Sequence, residues 1–300
     1  MIALVIILLA VCLGLPLFYA WRIWRLNEPS ALSWLLVVTD ACVFVALIML
    51  LGRWDITGFY VRFALLALVA AAVIRSLARH ARRAWAPPNL KVFLQTRVPT
   101  IVSLVAFSAA LAYVVSGLFP PARTIDLTFP LRDGRFIVGQ GGGVMLLNRH
   151  ADHEEQRFAA DITAIGPEGF RAGGILPREL DSYEIFGKQV VAPCDGSVMS
   201  TGDGLPDLPP PEADRENPAG NHVVLLCGGL QVELAHLQRG SVSVKPRQDV
   251  RVGDLMGLVG NSGNTTEPHL HIHAVDPDTG AGVPITLDGR YPVRNRLYSY

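Results

Sequence analysis

Charged residues are scarce in this 300-residue sequence. They make up 17% of it, against 50% hydrophobic residues, and the formal net charge is zero. Disordered chains and chains that coat nucleic acid have few hydrophobic residues and a strong net charge. The composition therefore excludes both classes, and no nucleic acid is expected among the partners.

Cysteine is also scarce, with four residues at wide spacing. A zinc site made of cysteine alone needs more thiolates at closer spacing, so this class of site is not expected. Cys12 and Cys42 lie within hydrophobic runs and are predicted to be packing residues. Cys194 and Cys227 lie beside predicted strands. They form either a disulfide or two buried free thiols, since the sequence does not give the Cα separation that a disulfide needs.

Acidic residues are rare in the first part of the chain. Residues 1–120 contain 10 Lys and Arg but only 3 Asp and Glu, whereas residues 121–300 contain 16 Lys and Arg and 23 Asp and Glu. Seven of the eight histidines also lie after residue 120. This contrast predicts two domains, a transmembrane helical region at 1–120 and a soluble domain at 121–300 that carries the chemistry.

Four hydrophobic runs fill the first domain. A bilayer core about 30 Å thick is spanned by roughly 20 apolar helical residues, and each run is close to that length. The first run lacks a basic start and a small-residue cleavage site, so it is predicted to be a retained helix rather than a signal peptide. The predicted spans are Ile2–Ala20, Ala31–Leu51, Phe59–Leu77 and Ile101–Phe119.

Basic residues predict the orientation of these spans. Arg22 and Arg25 lie in the link between the first two spans, and five more basic residues lie at 79–97, between the last two. Links rich in Lys and Arg stay in the cytoplasm. The sequence therefore predicts a multi-pass protein of the cytoplasmic (inner) membrane whose residues after 120 lie on the extracytoplasmic or periplasmic side.

One acidic residue, Asp40, lies within the predicted spans. A carboxyl in the membrane is a candidate functional group, because burying it in lipid is costly. A single carboxyl is a poor basis for transport, so a role in helix packing or in pairing with arginine is favoured. The helical region is interpreted as an anchor or as a bundle that binds membrane or cell-wall protein partners.

Short apolar runs separated by glycine and proline follow residue 121. Nine of them are predicted strands, and short strands at this spacing are typical of an antiparallel sandwich or barrel-like fold. The predicted fold class is an N-terminal α-helical transmembrane bundle followed by an all-β domain. The predicted strands are Arg135–Val138, Val144–Leu147, Phe158–Ile165, Gln189–Ala192, Gly196–Ser200, His222–Cys227, Gln231–Leu237, Leu255–Val259 and Leu270–Val275.

Three histidines alternate in the string His269-Leu270-His271-Ile272-His273. On a strand, alternate residues project from one face, so three imidazoles would line one surface. Zinc prefers imidazole and carboxylate ligands, and further His and Asp residues are available upstream. The string therefore predicts a zinc site, although any single histidine could instead be structural.

Five short motifs occur in the order seen in lysostaphin/LytM-type zinc metallopeptidases, and the sequence resembles that family from about residue 136 to 277. The resemblance implies a zinc-dependent peptidase domain, and it does not include the transmembrane region. The motifs are Asn148-Arg149-His150, Gln156-Arg157-Phe158-Ala159-Ala160-Asp161, Ala192-Pro193-Cys194-Asp195-Gly196, Ala235-His236-Leu237 and Pro268-His269-Leu270-His271.

The resemblance also implies a role for individual residues. His271 matches a histidine ligand of the metal, and Asp161 matches the carboxylate ligand. His236 and His269 match two catalytic histidines that do not bind the metal but activate water and stabilise the transition state. Such a site needs no serine or cysteine nucleophile.

The third ligand departs from the common pattern of the family. The usual histidine lies four residues before the aspartate, but Arg157 occupies that position and cannot bind a metal. A variant with Asn-x-His further upstream nominates His150. His153 stays open as the alternative, although it lies in a polar stretch that offers a ligand little support.

Two histidines of the second domain have no ligand or catalytic role in this scheme. His222 is expected to be structural. His273 is also expected to be structural, but it shares the face of His271 and is a candidate donor of a hydrogen bond near the metal.

The resemblance implies a membrane-anchored zinc metalloendopeptidase that hydrolyses peptide bonds of cell-wall peptidoglycan with metal-activated water. The expected partners are peptidoglycan peptides and the lipid bilayer. The alternative is a non-catalytic domain of the same fold that binds peptidoglycan or activates another hydrolase. Fold and metal do not define the substrate, so the resemblance alone supplies it.

Overall fold

The computed structural model describes residues 2–300. The chain divides into two compact units, one formed by Ala3–Val115 and one that contains Ser116–Tyr300. The first is helical and the second is built from strands. Each is described by itself below.

The helical unit contains four stretches that are long and apolar enough to cross a membrane. These stretches are Val5–Trp24, Ala31–Leu51, Val61–His80 and Leu90–Ser116. The prediction of about four apolar helices is confirmed. The helices are α1 (Ile2–Leu9), α2 (Leu15–Trp24), α3 (Ala31–Leu51), α4 (Trp54–Thr57), α5 (Val61–His80) and α6 (Leu90–Ser116), with a π-helical turn at Ala10–Gly14 between α1 and α2.

The bounds of α6 differ most from the prediction, which began the last span at Ile101. The helix begins 11 residues earlier and has Pro99 in its interior. The Asn89 side chain caps its start, since Oδ1 accepts the backbone N–H of Val92 at 3.1 Å. Lys91 lowers the hydropathy of the first turns, so the sequence assigned them to the preceding link instead of the helix.

The two basic links pack together at one end of the helical unit. Arg83 Nη2 donates a hydrogen bond to Asn27 Oδ1 at 3.0 Å. The backbone N–H of Glu28 donates to Nε2 of the buried His80 at 2.8 Å, and the Glu28 carboxylate pairs with Arg97. These contacts join residues that the charge pattern assigns to the same side of the membrane.

Asp40 is buried within the helical unit, on α3. Its Oδ1 accepts a hydrogen bond from Ser103 Oγ of α6 at 2.7 Å. A hydroxyl that donates to a buried carboxyl satisfies part of its hydrogen-bonding capacity. The contact fits the helix-packing interpretation of Asp40.

The second unit is a mostly antiparallel β domain, and the predicted fold class is confirmed. Nine strands form one sheet in the order β13-β2-β3-β10-β7-β6-β5-β8, with β11 on β10; β1 pairs with β12 and β4 with β9. The strands are β1 (Ile125–Leu127), β2 (Arg135–Gln140), β3 (Ala160–Ala164), β4 (Gln189–Val191), β5 (Gly196–Gly202), β6 (Asn221–Cys227), β7 (Leu230–Leu237), β8 (Asp249–Val250), β9 (Leu255–Leu258), β10 (Leu270–Val275), β11 (Gly282–Val283), β12 (Ile285–Leu287) and β13 (Leu297–Ser299).

One predicted strand is wrong. Residues 144–147 form a turn, in which the Leu147 N–H donates to the Val144 carbonyl at 3.0 Å. Gly142, just before this turn, has a φ of 107°, a conformation that favours glycine. The apolar run therefore continues a glycine-rich loop instead of adding a strand.

Strand alternation decides which side chains enter the hydrophobic core. Ile162, Leu270 and Ile272 are fully buried in the core cluster. Because neighbouring residues on a strand point to opposite faces, Asp161 and His271 project from the other face of β3 and β10. The packing that stabilises the sheet thus also fixes the face that carries the polar residues.

Of the two alternatives for Cys194 and Cys227, the structure shows the disulfide. Cys194 and Cys227 are bonded, with their Cα atoms 6.0 Å apart, within the usual range for disulfides. Cys12 and Cys42 are free. The bond joins the turn before β5 to the end of β6.

We expect Cys194 and Cys227 to resist thiol labelling in protein taken from its native envelope, because an oxidising compartment preserves the bond. Mass spectrometry after denaturation, with and without a reductant, measures this. Labelling of both residues without reductant would contradict the bond. The free Cys12 and Cys42 serve as internal controls that label in either case.

Candidate metal centre

Strand pairing brings Asp161 and His271 together. The two residues are direct partners in the antiparallel register of β3 and β10. Strand β7 lies on the other side of β10, with Ala235 opposite His271. His236, the next residue of β7, therefore lies beside the same position of the sheet.

The carboxylate of Asp161 is the centre of a cluster of imidazoles. His150 Nε2 lies 3.1 Å from both carboxylate oxygens, and His271 Nδ1 lies 2.9 Å from Oδ1. His269 Nε2 lies 3.6 Å from Oδ1. The residues proposed as ligands from the sequence are thus adjacent, although His150 and Asp161 are far from His271 along the chain.

Asn148 holds His150 in this position. It is fully buried, and its Oδ1 accepts the backbone N–H of His150 at 3.1 Å. Its Nδ2 donates to the carbonyls of Gly142 at 3.2 Å and of Ala159 at 3.0 Å. One amide therefore joins the glycine-rich loop, the short 3-10 turn that carries His150 and the segment that enters β3. Sequence analysis missed this role, although the Asn-x-His motif contained the residue.

His236 and His269 are held through the same ring atom, Nδ1. His236 Nδ1 lies 2.9 Å from the Ser262 carbonyl, and His269 Nδ1 lies 2.9 Å from the Glu267 carbonyl. A carbonyl only accepts, so each Nδ1 carries the proton, and each Nε2 keeps a lone pair. The two ring centroids are 4.7 Å apart. The pair thus offers two unprotonated nitrogens next to the Asp161 cluster.

The backbone of His236 is constrained as well. Its φ is 65°, in the left-handed region that residues other than glycine adopt infrequently. Its N–H donates to the Ala219 carbonyl and its carbonyl accepts the Gly260 N–H, both at 3.0 Å. Such conformations persist where the surroundings determine them, and they cluster at functional sites.

Burial and charge shift the pKa values in the cluster. Burial raises the pKa of the Asp161 carboxyl, but the neighbouring His150 and His269 outweigh this and hold it well below its usual range. Burial lowers the pKa of His150, but the neighbouring Asp161 outweighs burial, and the net effect is a raised pKa. Burial, with the charges of neighbouring imidazoles, brings the pKa of His236 well below its usual value, and burial also lowers that of His269. The carboxylate is therefore charged, and His236 and His269 are neutral bases at neutral pH.

The remaining histidines of this unit lie outside the ligand cluster or at its edge. The His153 side chain is 71% exposed and lies 3.7 Å from Asp152 Oδ1. His222 Nδ1 lies 2.8 Å from the Gly220 carbonyl. His273 is buried, and its Nδ1 lies 3.1 Å from Nε2 of His271.

A zinc ion fits the donor set. One ligand atom each from His150, Asp161 and His271 lies within 4.8 Å of the other two. Two imidazoles and a carboxylate match the ligand preference of zinc, and three protein ligands leave a position open for water or substrate. Tetrahedral zinc with bonds of about 2.0–2.1 Å holds its ligand atoms about 3.3 Å apart, close to the 2.9 and 3.1 Å separations here.

An ion pair between the buried Arg171 and the half-buried Glu267 supports the segment that carries His269. Arg171 is 1% exposed, and its Nε donates to Glu267 Oε2 at 2.8 Å. The Glu267 carbonyl accepts the His269 Nδ1–H, and Thr265 Oγ1 also donates to that carbonyl at 2.8 Å. The Arg171 guanidinium thus holds the Glu267 residue whose carbonyl positions the His269 ring. No sequence pattern had singled out this pair.

The β domain thus carries a candidate metal centre formed by imidazoles and one carboxylate. Residues 182–281 match the model of peptidase family M23, and the chain therefore carries a peptidase family M23 domain. The resemblance found from the sequence motifs is confirmed at this level. The matched residues include His236, His269 and His271, whereas His150 and Asp161 precede them.

Three solved structures that match parts of this chain are the following. A zinc-containing peptidase from Vibrio cholerae is 19% identical (TM-score 0.33), and the match covers 54% of this chain and 39% of that one. Csd3 of Helicobacter pylori is 16% identical (TM-score 0.30; 59% and 35% covered). The catalytic domain of the antimicrobial peptidase lysostaphin from Staphylococcus simulans is 18% identical (TM-score 0.24; 38% and 84% covered). The chain thus spans well under two thirds of the Vibrio and Helicobacter proteins.

Proposed function

We propose that this chain is a membrane-anchored zinc metalloendopeptidase that hydrolyses peptide bonds of cell-wall peptidoglycan. The observation that carries the proposal is the convergence of His150, Asp161 and His271, with two further imidazoles at their side. The M23 match supports a peptidase. The four long apolar helices support a membrane protein.

His150, Asp161 and His271 would hold the zinc ion. When bound, zinc supplies a Lewis acid that polarises the scissile carbonyl and lowers the pKa of water toward about 7. The Asp161 carboxylate binds in its charged form, and the two imidazoles bind through unprotonated nitrogens.

His236 and His269 carry out the proton transfers. Their Nδ1–H groups are tied to the Ser262 and Glu267 carbonyls, so Nε2 is the atom that acts. As a base, Nε2 takes a proton from the water that attacks the peptide carbonyl carbon. Once protonated, it donates a hydrogen bond to the carbonyl oxygen as that oxygen gains charge, or passes the proton to the amine that leaves when the C–N bond breaks.

Digestion of purified peptidoglycan by the full-length protein in detergent tests the proposal. We expect zinc-loaded protein to release fragments with new amino termini, chelation to stop the release and added zinc to restore it. Mass spectrometry of the fragments identifies the bond. If metal-loaded protein binds peptidoglycan and cleaves nothing, the domain is a binding or hydrolase-activating module. If cleavage survives complete chelation, the zinc mechanism is wrong.

We expect a reporter fused after Tyr300 to be active only outside the cytoplasm, and reporters in the links at 22–30 or 79–97 to be active only inside it. The reason is the concentration of basic residues in these two links, whose side chains contact each other at one end of the helical unit. Paired alkaline phosphatase and fluorescent protein fusions measure both outcomes. A cytoplasmic C-terminus would separate the domain from peptidoglycan and overturn the proposed substrate.

A further inference from the structure

His271 has a second polar contact that has no part in the proposed mechanism. Its Nδ1 faces Asp161, while its Nε2 lies 3.1 Å from Nδ1 of His273, two residues along β10. Both imidazoles are nearly inaccessible to solvent, with 3% and 4% exposure. The two rings are 5.1 Å apart and inclined at 65°.

The chemistry of an imidazole ligand sets the direction of this hydrogen bond. A neutral imidazole that binds a metal through Nδ1 must carry its proton on Nε2. In His271 this Nε2–H is buried, and a buried donor without an acceptor is costly. Nδ1 of His273 is the atom within hydrogen-bond distance of it. His273 must therefore accept through Nδ1 and carry its own proton on Nε2.

We propose that His273 is a positioning residue, whose Nδ1 accepts the Nε2–H of His271 and so selects the tautomer of His271 that presents an Nδ1 lone pair to the metal. The inference rests on the proposed function. It makes His273 a hydrogen-bond acceptor, whereas the sequence suggested a donor. A partner of this kind fixes the ring orientation of a histidine ligand and raises its basicity.

The neighbouring strand supports this arrangement. Glu233 of β7 is the direct partner of His273 in the sheet register. A carboxylate oxygen of Glu233 lies within 4.8 Å of a ring nitrogen of His273 and of one of His271. An ionised carboxylate only accepts hydrogen bonds, so Glu233 places an acceptor near the His273 ring, which in this arrangement carries its proton on Nε2.

Zinc affinity of position-273 variants tests the inference. The full-length protein in detergent micelles is titrated against a chromogenic chelator, for wild type, His273→Leu, His273→Asn and His273→Gln. The Asn side chain can place an acceptor near the position of Nδ1, whereas the longer Gln side chain matches Nε2. His222→Leu is the control, since it removes a strand histidine that hydrogen-bonds only a backbone carbonyl among the contacts described above.

We expect His273→Leu and His273→Gln to weaken zinc binding by about 10- to 100-fold, the usual effect of removing such a partner. His273→Asn should recover most of the loss, and His222→Leu should bind zinc as wild type does. Histidine-selective ¹⁵N NMR of the zinc-loaded protein should show a protonated Nε2 on His271 in wild type and in His273→Asn.

Two kinds of failure are distinguishable. If wild type binds no zinc, the proposed function fails and the inference fails with it. If wild type binds one zinc ion and all three variants bind it equally well, only the inference fails. If His273→Leu does not fold, the zinc affinities of His273→Asn and His273→Gln are compared instead. Equal affinities in these two variants would overturn the inference. A second bound metal that is lost in Glu233→Gln would make His273 a ligand and would also overturn the inference.

Discussion

Replacing Asp161 or His271 by alanine is expected to abolish zinc retention and to reduce peptidoglycan hydrolysis to background. Each change removes one of the three proposed zinc ligands, and a site with only two protein ligands does not retain the ion. Asp161→Ala also removes the carboxylate that lies within 3.6 Å of three imidazoles. Metal analysis of protein purified from zinc-supplemented cells measures the first effect, with about one zinc ion per chain expected in wild type.

A matched pair of variants tests the third ligand. His150→Ala should lose zinc like the other two ligand variants, because Nε2 of His150 lies in the cluster. His153→Ala should keep it, because the His153 side chain projects into solvent. Stoichiometric zinc in Asp161→Ala or His271→Ala would refute the ligand assignment, and zinc loss in His153→Ala alone would move the third ligand to His153.

Replacing His236 or His269 by alanine should leave zinc bound and the fold intact, while hydrolysis falls by about 10²- to 10⁴-fold. This is the range for loss of a positioned acid–base group. The proposed proton transfer through Nε2 and hydrogen bond to the charged carbonyl oxygen would be lost, while the proposed metal ligands would remain. Initial rates on purified peptidoglycan, set beside zinc content, measure the effect.

The conformation of His236 calls for an additional variant. Alanine at a φ of 65° is strained, so a loss of activity in His236→Ala could come from the backbone. His236→Asn tolerates this conformation, keeps an amide N–H for the Ser262 carbonyl and lacks Nε2. Equal loss in both variants assigns the effect to Nε2. Wild-type rates in His236→Asn and in His269→Ala would contradict the proton-transfer roles.

Residue patterns predicted long or strongly alternating elements well. Strand β10 has the predicted bounds, because its apolar residues alternate with histidines after a turn-rich segment. The short strands β1 and β12 escaped prediction, since each has three residues and they pair across about 160 positions of the chain. Local pattern carries no information on such pairing. The start of α6 was missed because two basic residues and Pro99 interrupt the apolar run, although the helix continues through them.

Residue patterns in the sequence identify part of the candidate site, and tertiary contacts in the structure identify the rest. The alternation of His269 and His271 indicated a shared face, and the family motifs added Asp161 and His236. The choice between His150 and His153 needed tertiary contacts, because the two residues are three positions apart in one polar segment. Asn148 distinguishes them in the structure, since it caps the turn that carries His150 and leaves His153 exposed.

A crystal structure of the zinc-loaded full-length protein, with diffraction data on both sides of the zinc absorption edge, tests the proposed metal site. We expect one anomalous difference peak, bonded to His150 Nε2, a carboxylate oxygen of Asp161 and His271 Nδ1, with His236 and His269 nearby but not bonded to it. A peak bonded to other residues, or no peak at this position in protein that contains stoichiometric zinc, would contradict this assignment.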